Sequence, residues 1–311
     1  MADFVKLDDN DKGEKEEKKE KSGPKKYFTL KIVLLGLLIF FILSSILSSV
    51  MFAMSPKIAV VPISGVITTD KQSSIFGSST SSREIATTLL ELAEDNSVKA
   101  VILDINSPGG SPVASEEISR AIEKLSEKKK VYALINDVGA SGAFWIAVSA
   151  DKVYASSMSI IGSIGVTSAG LSFEDFIKEY NITYRKQTAG ELKDMGSIFR
   201  EPTEVEEMKI QQLLDEIHEN FIIHIANARN ISIEEVREVA TGEIFLGSKG
   251  KNLNLIDEIG YYPDVISDIK KEVGESVLIV NYGPSPSFFD ILGVSSLFSF
   301  DSSDKSKIML K

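Results

Sequence analysis

The stretch VKAVILDINSPGGSPVASEEISRAIEKLSEKKKVYALI, residues 98–135, decides the fold. Val98 to Ile105 is a nearly unbroken apolar run that ends in a loop carrying Pro108, Gly109 and Gly110. Val113 to Lys128 places its apolar residues at helical spacing, and Val131 to Ile135 is a second apolar run. A strand that is apolar at consecutive positions is covered on both faces, and two such strands separated by a helix make a parallel βαβ unit. Upstream, Ile58 to Ile63 reads as another strand and Ser81 to Glu94 as an amphipathic helix. Downstream come a Gly- and Ser-rich segment from Ser156 to Gly170 and a helix near Phe173 to Tyr180. A short strand at Thr183 to Lys186, a loop holding Lys193 and a long helix from about Glu204 to Asn227 follow. Ser232-Ile233-Glu234-Glu235 has the spacing of a capping box for one more helix. The fold class is α/β.

Composition narrows the function. The chain has 311 residues, 43% of them hydrophobic, enough for one globular domain of roughly 200 to 250 residues plus appendages. No cysteine is present, which excludes disulfide staples and thiolate metal sites. The net charge of −11 is unevenly placed: residues 1–26 balance eight lysines with eight acidic residues, Lys31 adds one positive charge, and the chain beyond carries −12. A domain this acidic is a poor nucleic-acid binder. No HExxH, calcium-loop or phosphate-loop pattern occurs, so no metal and no cofactor is assigned.

Residues 32–54, IVLLGLLIFFILSSILSSVMFAM, carry no charge and are long enough to cross a hydrocarbon core of ~30 Å. The run is longer than the apolar core of a cleaved signal, which is typically ~7 to 15 residues, so it reads as a retained transmembrane helix. Six lysines between Lys18 and Lys31 flank its N-terminal side, whereas Lys57 is the only charge close to the other. By the positive-inside rule the N-terminus is cytoplasmic and the large domain extracytoplasmic. Residues 1–26 are too polar to order themselves and read as a disordered cytoplasmic tail. Residues 57–283 form the globular domain and residues 284–311 a C-terminal tail.

The chemistry centres on Ser141, in Gly139-Ala140-Ser141-Gly142-Ala143, just beyond the strand Val131 to Ile135 and before a helix beginning at Phe144. A serine there faces the carboxyl ends of parallel strands, where open α/β sheets bind ligands. The same position suits a helix N-cap, and the two roles are compatible. Gly109 and Gly110 occupy the equivalent turn one βα unit earlier, where exposed backbone N–H groups can form an oxyanion hole. The only histidines, His218 and His224, lie in the long polar-studded helix, which argues against a Ser-His-Asp relay. The best alternative base is Lys193, which can act only as a neutral amine in a dry site. Trp145, the sole tryptophan, reads as core packing or as the wall of a substrate pocket.

Several motifs occur together in one order: NSPGG at 106–110, ASG at 140–142, SADKVYA at 149–155, GSIGV at 162–166 and LKD at 192–194. With the preceding apolar segment, residues 57–283 resemble the short, single-domain signal peptide peptidase A family, peptidase family S49, of the Clp protease and crotonase superfamily. The resemblance implies a ββα-repeat fold and a serine endopeptidase with a Ser/Lys dyad, Ser141 as nucleophile and Lys193 as base. It implies that Ser163 orients the lysine and that Gly110 and Gly142 supply the oxyanion hole. It also implies hydrophobic or signal-peptide substrates, or one membrane-protein partner, and a ring-shaped homo-oligomer. Two departures bear on substrate preference: Ala143 stands where many relatives have glycine, and Phe144-Trp145 where they often have two tyrosines. An acyl-CoA enzyme of crotonase type is the rival reading.

Overall fold

The computed structural model describes residues 25–70, 73–74 and 77–283. The expected cytoplasmic tail, up to residue 24, and the C-terminal tail 284–311 lie outside the described residues. The chain divides into two compact units, Met1–Met54 and Ser55–Lys311.

In the first unit, helix α1 (Lys25–Met54) contains an 18-residue stretch, Ile32–Ser49, with a mean hydropathy of 2.6. Its apolar side chains are exposed all round, Phe40 and Phe41 among them. By length and composition it can cross a membrane.

The second unit begins with β1 (Lys57–Ser64), β2 (Val66–Thr68), β3 (Ser73–Ser74), β4 (Gly77–Ser81) and α2 (Ser82–Glu94). It continues through β5 (Val98–Ser107), α3 (Pro112–Ser126), β6 (Lys130–Ala140), α4 (Gly142–Val148), β7 (Lys152–Ala155) and β8 (Ile160–Gly162). Then follow α5 (Glu174–Glu179), α6 (Glu204–Arg229), α7 (Ile233–Val239), β9 (Ile244–Leu246), α8 (Gly247–Asn252), β10 (Glu258–Ile259), α9 (Tyr262–Val273) and β11 (Leu278–Asn281).

The main sheet has the order β10-β7-β6-β5-β1-β11, with every neighbouring pair parallel. Its central strands are covered on both faces, as their unbroken apolar runs require. Ala59, Val61, Val101, Leu103 and Ala133 face one core with Leu89 of α2, Ile118 and Ile122 of α3 and Phe144 of α4. Their neighbours Ile58, Val60, Ala100, Ile102 and Leu134 point the other way, against Val265 and Ile269 of α9.

Two sequence expectations are corrected. The strand expected to end at Ile135 runs on to Ala140 and changes partners on the way. Tyr132 to Ile135 pair with β7, whereas Val138 to Ala140 pair in parallel with β8, which in turn pairs antiparallel with β9. A register shift opposite β5, where Val138 N–H donates to Asn106 Oδ1 at 3.3 Å, redirects β6 between its two partners. The segment Thr183 to Lys186 is not a strand: it is exposed and has no ladder partner among the described residues, and local β-propensity without pairing does not make a strand.

Candidate active site

The local chemistry of the two turns explains how the site is built. After β5, the Ser107 hydroxyl donates to Gly65 O at 2.6 Å and accepts from Gly109 N–H at 3.1 Å. Gly109 adopts a φ of +99°, and the chain then bridges to Ile67 through Ile67 N–H to Gly109 O and Ser111 N–H to Ile67 O, both 2.9 Å. A Cβ on Gly110 would sit 2.0 Å from Ile67 O, so only glycine fits there. Ser111 then caps α3, its hydroxyl accepting from Ala114 N–H, with Pro112 in the first turn. This pins the N-terminus of α3 beside the second turn.

At the second turn, Ala140 is the last paired residue of β6 and Gly162 the last of β8. Ser141 N–H donates to Gly162 O at 2.8 Å, and Ser163 N–H donates to Glu243 O at 2.8 Å. Ser141 has φ 52° and ψ −125°, a conformation that non-glycine residues rarely adopt, and Ser163 shares the φ of 52°. The Ser141 side chain makes no capping bond to α4, so the N-cap role falls away. Gly142 opens α4 against α3, where a Cβ would meet Ser115 Oγ at 2.3 Å and lie 3.4 Å from Gly110 N. The main chain at Gly110 and Gly142 is therefore in close contact. Among the described residues, neither N–H has an acceptor and the Ser141 hydroxyl has no partner.

These groups open into a cleft of about 670 Å³. Gly110, Ser115, Ser141, Gly142 and Ser163 line one side, with Gly165 to Thr167 and Ala240 to Gly242 continuing the wall. Gln211, Leu214, Asp215, His218 and Phe221 of α6 and Trp145 of α4 also line the cleft. Trp145 stacks on His224 at a centroid distance of 4.3 Å and packs against Phe221 at 5.1 Å. Its two anticipated roles, packing and pocket wall, thus coincide. The α6 wall was not singled out from the sequence, although its Leu214, His218 and Phe221 follow the i, i+4, i+7 spacing of one helix face.

Neither histidine hydrogen-bonds to Ser141. His224 Nε2 lies 3.1 Å from both Trp145 O and Ser149 Oγ, and burial lowers its affinity for a proton. His218 lines the cleft, but its buried Nε2 has no partner among the described residues.

Four of the five anticipated site residues, Ser141, Ser163, Gly110 and Gly142, line one cleft. Lys193 does not. It lies in the long segment between β8 and α6, which is exposed over most of its length, and its amine has no ion-pair partner among the described residues. Next to it, Asp194 is tightly held: its carboxylate accepts from Tyr184 OH at 2.7 Å and Arg200 Nε at 2.7 Å, with Lys186 at 3.1 Å. The Arg200 and Tyr184 hydrogen bonds hold the Asp194 carboxyl well below its ordinary range, at about 2.

A serine on a strained turn beside two unpaired main-chain N–H groups, at the carboxyl end of parallel strands, is an arrangement suited to attack on a carbonyl. Residues 123–276 match the model of peptidase family S49. The chain is 32% identical over 222 residues to a putative signal peptide peptidase SppA of Enterococcus faecium, covering 71% of this chain and 64% of that protein. It is 33% identical over 194 residues to a putative protease of Methanocaldococcus jannaschii, covering 62% of each. The chain therefore spans a little under two thirds of the length of these curated relatives. A membrane-bound stomatin-specific protease in complex with a substrate peptide aligns with 78% of this chain and 98% of its own, at a TM-score of 0.48 and 15% identity.

Proposed function

We propose that this chain is a membrane-anchored serine endopeptidase in which Ser141 is the nucleophile and Lys193 the general base. The observation that carries the reading is the placing of Ser141, at φ 52°, in one cleft with the unpaired N–H groups of Gly110 and Gly142. Neutral Lys193 takes the Ser141 proton, Oγ adds to the peptide carbonyl, and the resulting oxyanion accepts from Gly110 and Gly142 N–H. Collapse releases the amine, which takes the proton back from Lys193, and water then hydrolyses the acyl-enzyme by the same base. Ser163, beside Ser141 across the β6–β8 pair, orients the amine.

One copy of the chain does not bring Lys193 to Ser141. The Lys193-bearing segment also exposes Leu171, Phe176, Tyr180, Ile182 and Phe199, an apolar surface suited to burial against another copy. We therefore assign the complete site to a homo-oligomeric ring in which a neighbouring copy supplies the lysine to a cleft that it also helps to dry. The apolar wall of Trp145, Leu214 and Phe221 fits hydrophobic peptides, and α1 fits an anchor that keeps the domain at the membrane surface, outside the cytoplasm. Signal peptides, the substrate in the name of the Enterococcus relative, meet both conditions, and the substrate class proposed is remnant signal peptides.

A serine-directed fluorophosphonate tests the assignment. Labelling of the wild type that is lost in Ser141→Ala supports it, and equal labelling of the two removes Ser141 as nucleophile. An acyl-CoA enzyme of the crotonase type would not be labelled, because its reaction forms no acyl-serine.

A further inference from the structure

Arg200 lies just after the Lys193 loop, and every N–H of its guanidinium is used. Nε donates to Asp194 Oδ2 at 2.7 Å and Nη2 to the Asp194 carbonyl at 2.9 Å. Nη1 donates to the Glu201 carbonyl at 3.0 Å, and the two Nη atoms together grip the Glu206 carboxylate at 2.8 and 2.6 Å. Five donors on five bonds is the full capacity of the group. Glu206 is only 2% exposed and is fixed in its own right, since it completes the capping box of α6 with Thr203. Its carboxyl is held at about 2, chiefly by Arg200. Arg200 thus joins a rigid point, the first turn of α6, to both the side chain and the main chain of the residue following Lys193. The other ties of the loop stay within its own segment: Tyr184 and Lys186 reach the Asp194 carboxylate at 2.7 and 3.1 Å, and Lys193 N–H donates to Gly190 O at 3.2 Å.

The geometry points to Arg200 as the positioning residue for the catalytic lysine. It fixes Asp194 to the first turn of α6, the helix that also walls the cleft, and so sets where the Lys193 amine is presented. This rests on the reading of Lys193 as the base. Arg200 touches neither substrate nor Ser141, and its effect travels through Asp194. Misplacing a catalytic group by about 1 Å costs on the order of 10²-fold in rate. Lysine cannot replace arginine here, because three donors on one atom cannot serve two carboxylates and two carbonyls.

The test uses the full-length membrane protein with a fluorogenic hydrophobic peptide. In Arg200→Ala, and nearly as strongly in Arg200→Lys, kcat is expected to fall by about 10²-fold with KM within about twofold. Assembly size and melting temperature should stay near wild type, and added methylguanidinium should restore part of the kcat of Arg200→Ala. A merely structural arginine would lower the melting temperature and leave kcat per folded site intact, which overturns the proposal. So does a loss confined to KM. If Arg200→Ala fails to fold or assemble, Asp194→Asn decides: a lowered kcat supports the clamp and a normal kcat overturns it. Lys193→Ala separates the two levels. Full activity in that variant strikes out the lysine reading itself, whereas an inactive Lys193→Ala beside a fully active Arg200→Ala strikes out only the role of Arg200.

Discussion

Ser141 and Ser163 stand at matching positions on two parallel strands, each one residue beyond the final pair Ala140–Gly162, and each at φ 52°. The pairing of β6 with β8 brings them together, and the partner change within β6 makes that pairing possible. The Ser141 turn is also strained, since a residue with a Cβ rarely adopts its φ and ψ.

Strain of this kind gives a stability prediction. Glycine accepts the Ser141 conformation at no steric cost, whereas alanine keeps the Cβ. Ser141→Gly should be more stable than Ser141→Ala by about 1 kcal/mol while both are inactive, the relief of strain outweighing the extra freedom of the unfolded chain. Chemical denaturation of the two variants measures the difference. Equal midpoints would show that the turn stores no strain.

Gly110 and Gly142 should respond differently to alanine. At Gly110 the added Cβ meets the backbone carbonyl of Ile67 at 2.0 Å, and the bridge between Ile67 and Gly110 has to open. Gly110→Ala is expected to cost about 3 kcal/mol or more. At Gly142 the obstacle at 2.3 Å is the Ser115 hydroxyl, which can rotate away. Gly142→Ala should cost less, and Ser115→Ala in the same chain should recover most of the loss. Thermal melts of the four proteins check both statements.

What the sequence disclosed follows from where the signal is local. Val98 to Ile105 and Val131 to Ile135 are apolar on consecutive residues because sheet and helices cover both their faces, and that pattern is visible without partners. The capping box at Ser232 and Glu235 is equally local, and it forms as expected. The continuation of β6 to Ala140 was hidden because Asn136, Asp137 and Gly139 carry no strand signal, and it depends on the distant strand β8. Thr183 to Lys186 failed in the opposite sense, having strand-like residues but no partner. Ser141, Gly142 and Gly110 were legible as residues of strand-to-helix turns, whereas Ser163 was named only through the family resemblance. The α6 lining of the cleft was not legible, because the residues of α6 that face it look like any half-buried helix face. Asn181 and Asn230 both sit at φ 53°, and Asn230 ends α6 in the left-handed conformation that asparagine tolerates.

Acid should loosen the lysine segment before the core. Asp194 and Glu206, ordinarily near 3.8 and 4.5, are both held at about 2 by Arg200 and their other partners. Folded values below the unfolded ones mean stability that is complete above about pH 4.5 and lost as pH falls toward 2. Hydrogen exchange in residues 184–206 should therefore rise over that window while exchange in β5 and β6 stays slow. Uniform protection down to pH 2 would show that the clamp contributes nothing to the order of the segment.

His224 gives a second pH effect at milder acidity. Burial holds it below the ordinary 6.5, so the unfolded chain takes up a proton there that the folded chain refuses. Stability should consequently fall as pH drops below about 6.5. His224→Phe keeps a ring against Trp145 and removes the titration. Its melting temperature should change less between pH 7.5 and 5.5 than that of the wild type, and parallel behaviour of the two proteins would exclude His224 as the source.

Complementation decides how the site is completed. The cleft holds Ser141, Ser163, Gly110 and Gly142 but not Lys193, and the lysine-bearing segment is exposed and apolar at its surface. If a neighbouring copy supplies the lysine, Ser141→Ala and Lys193→Ala subunits damage different parts of the same composite site. Each variant alone should be inactive. A mixed ring, however, contains junctions where an intact Ser141 from the Lys193→Ala copy meets an intact Lys193 from the Ser141→Ala copy. With equal random mixing about one junction in four is intact, so activity should return to roughly a quarter of wild type if sites act independently. Native mass spectrometry of differently tagged subunits confirms the mixing. Mixed rings that remain inactive would place the lysine and serine of each working site on the same chain, and would require the Lys193 segment to fold back onto its own cleft.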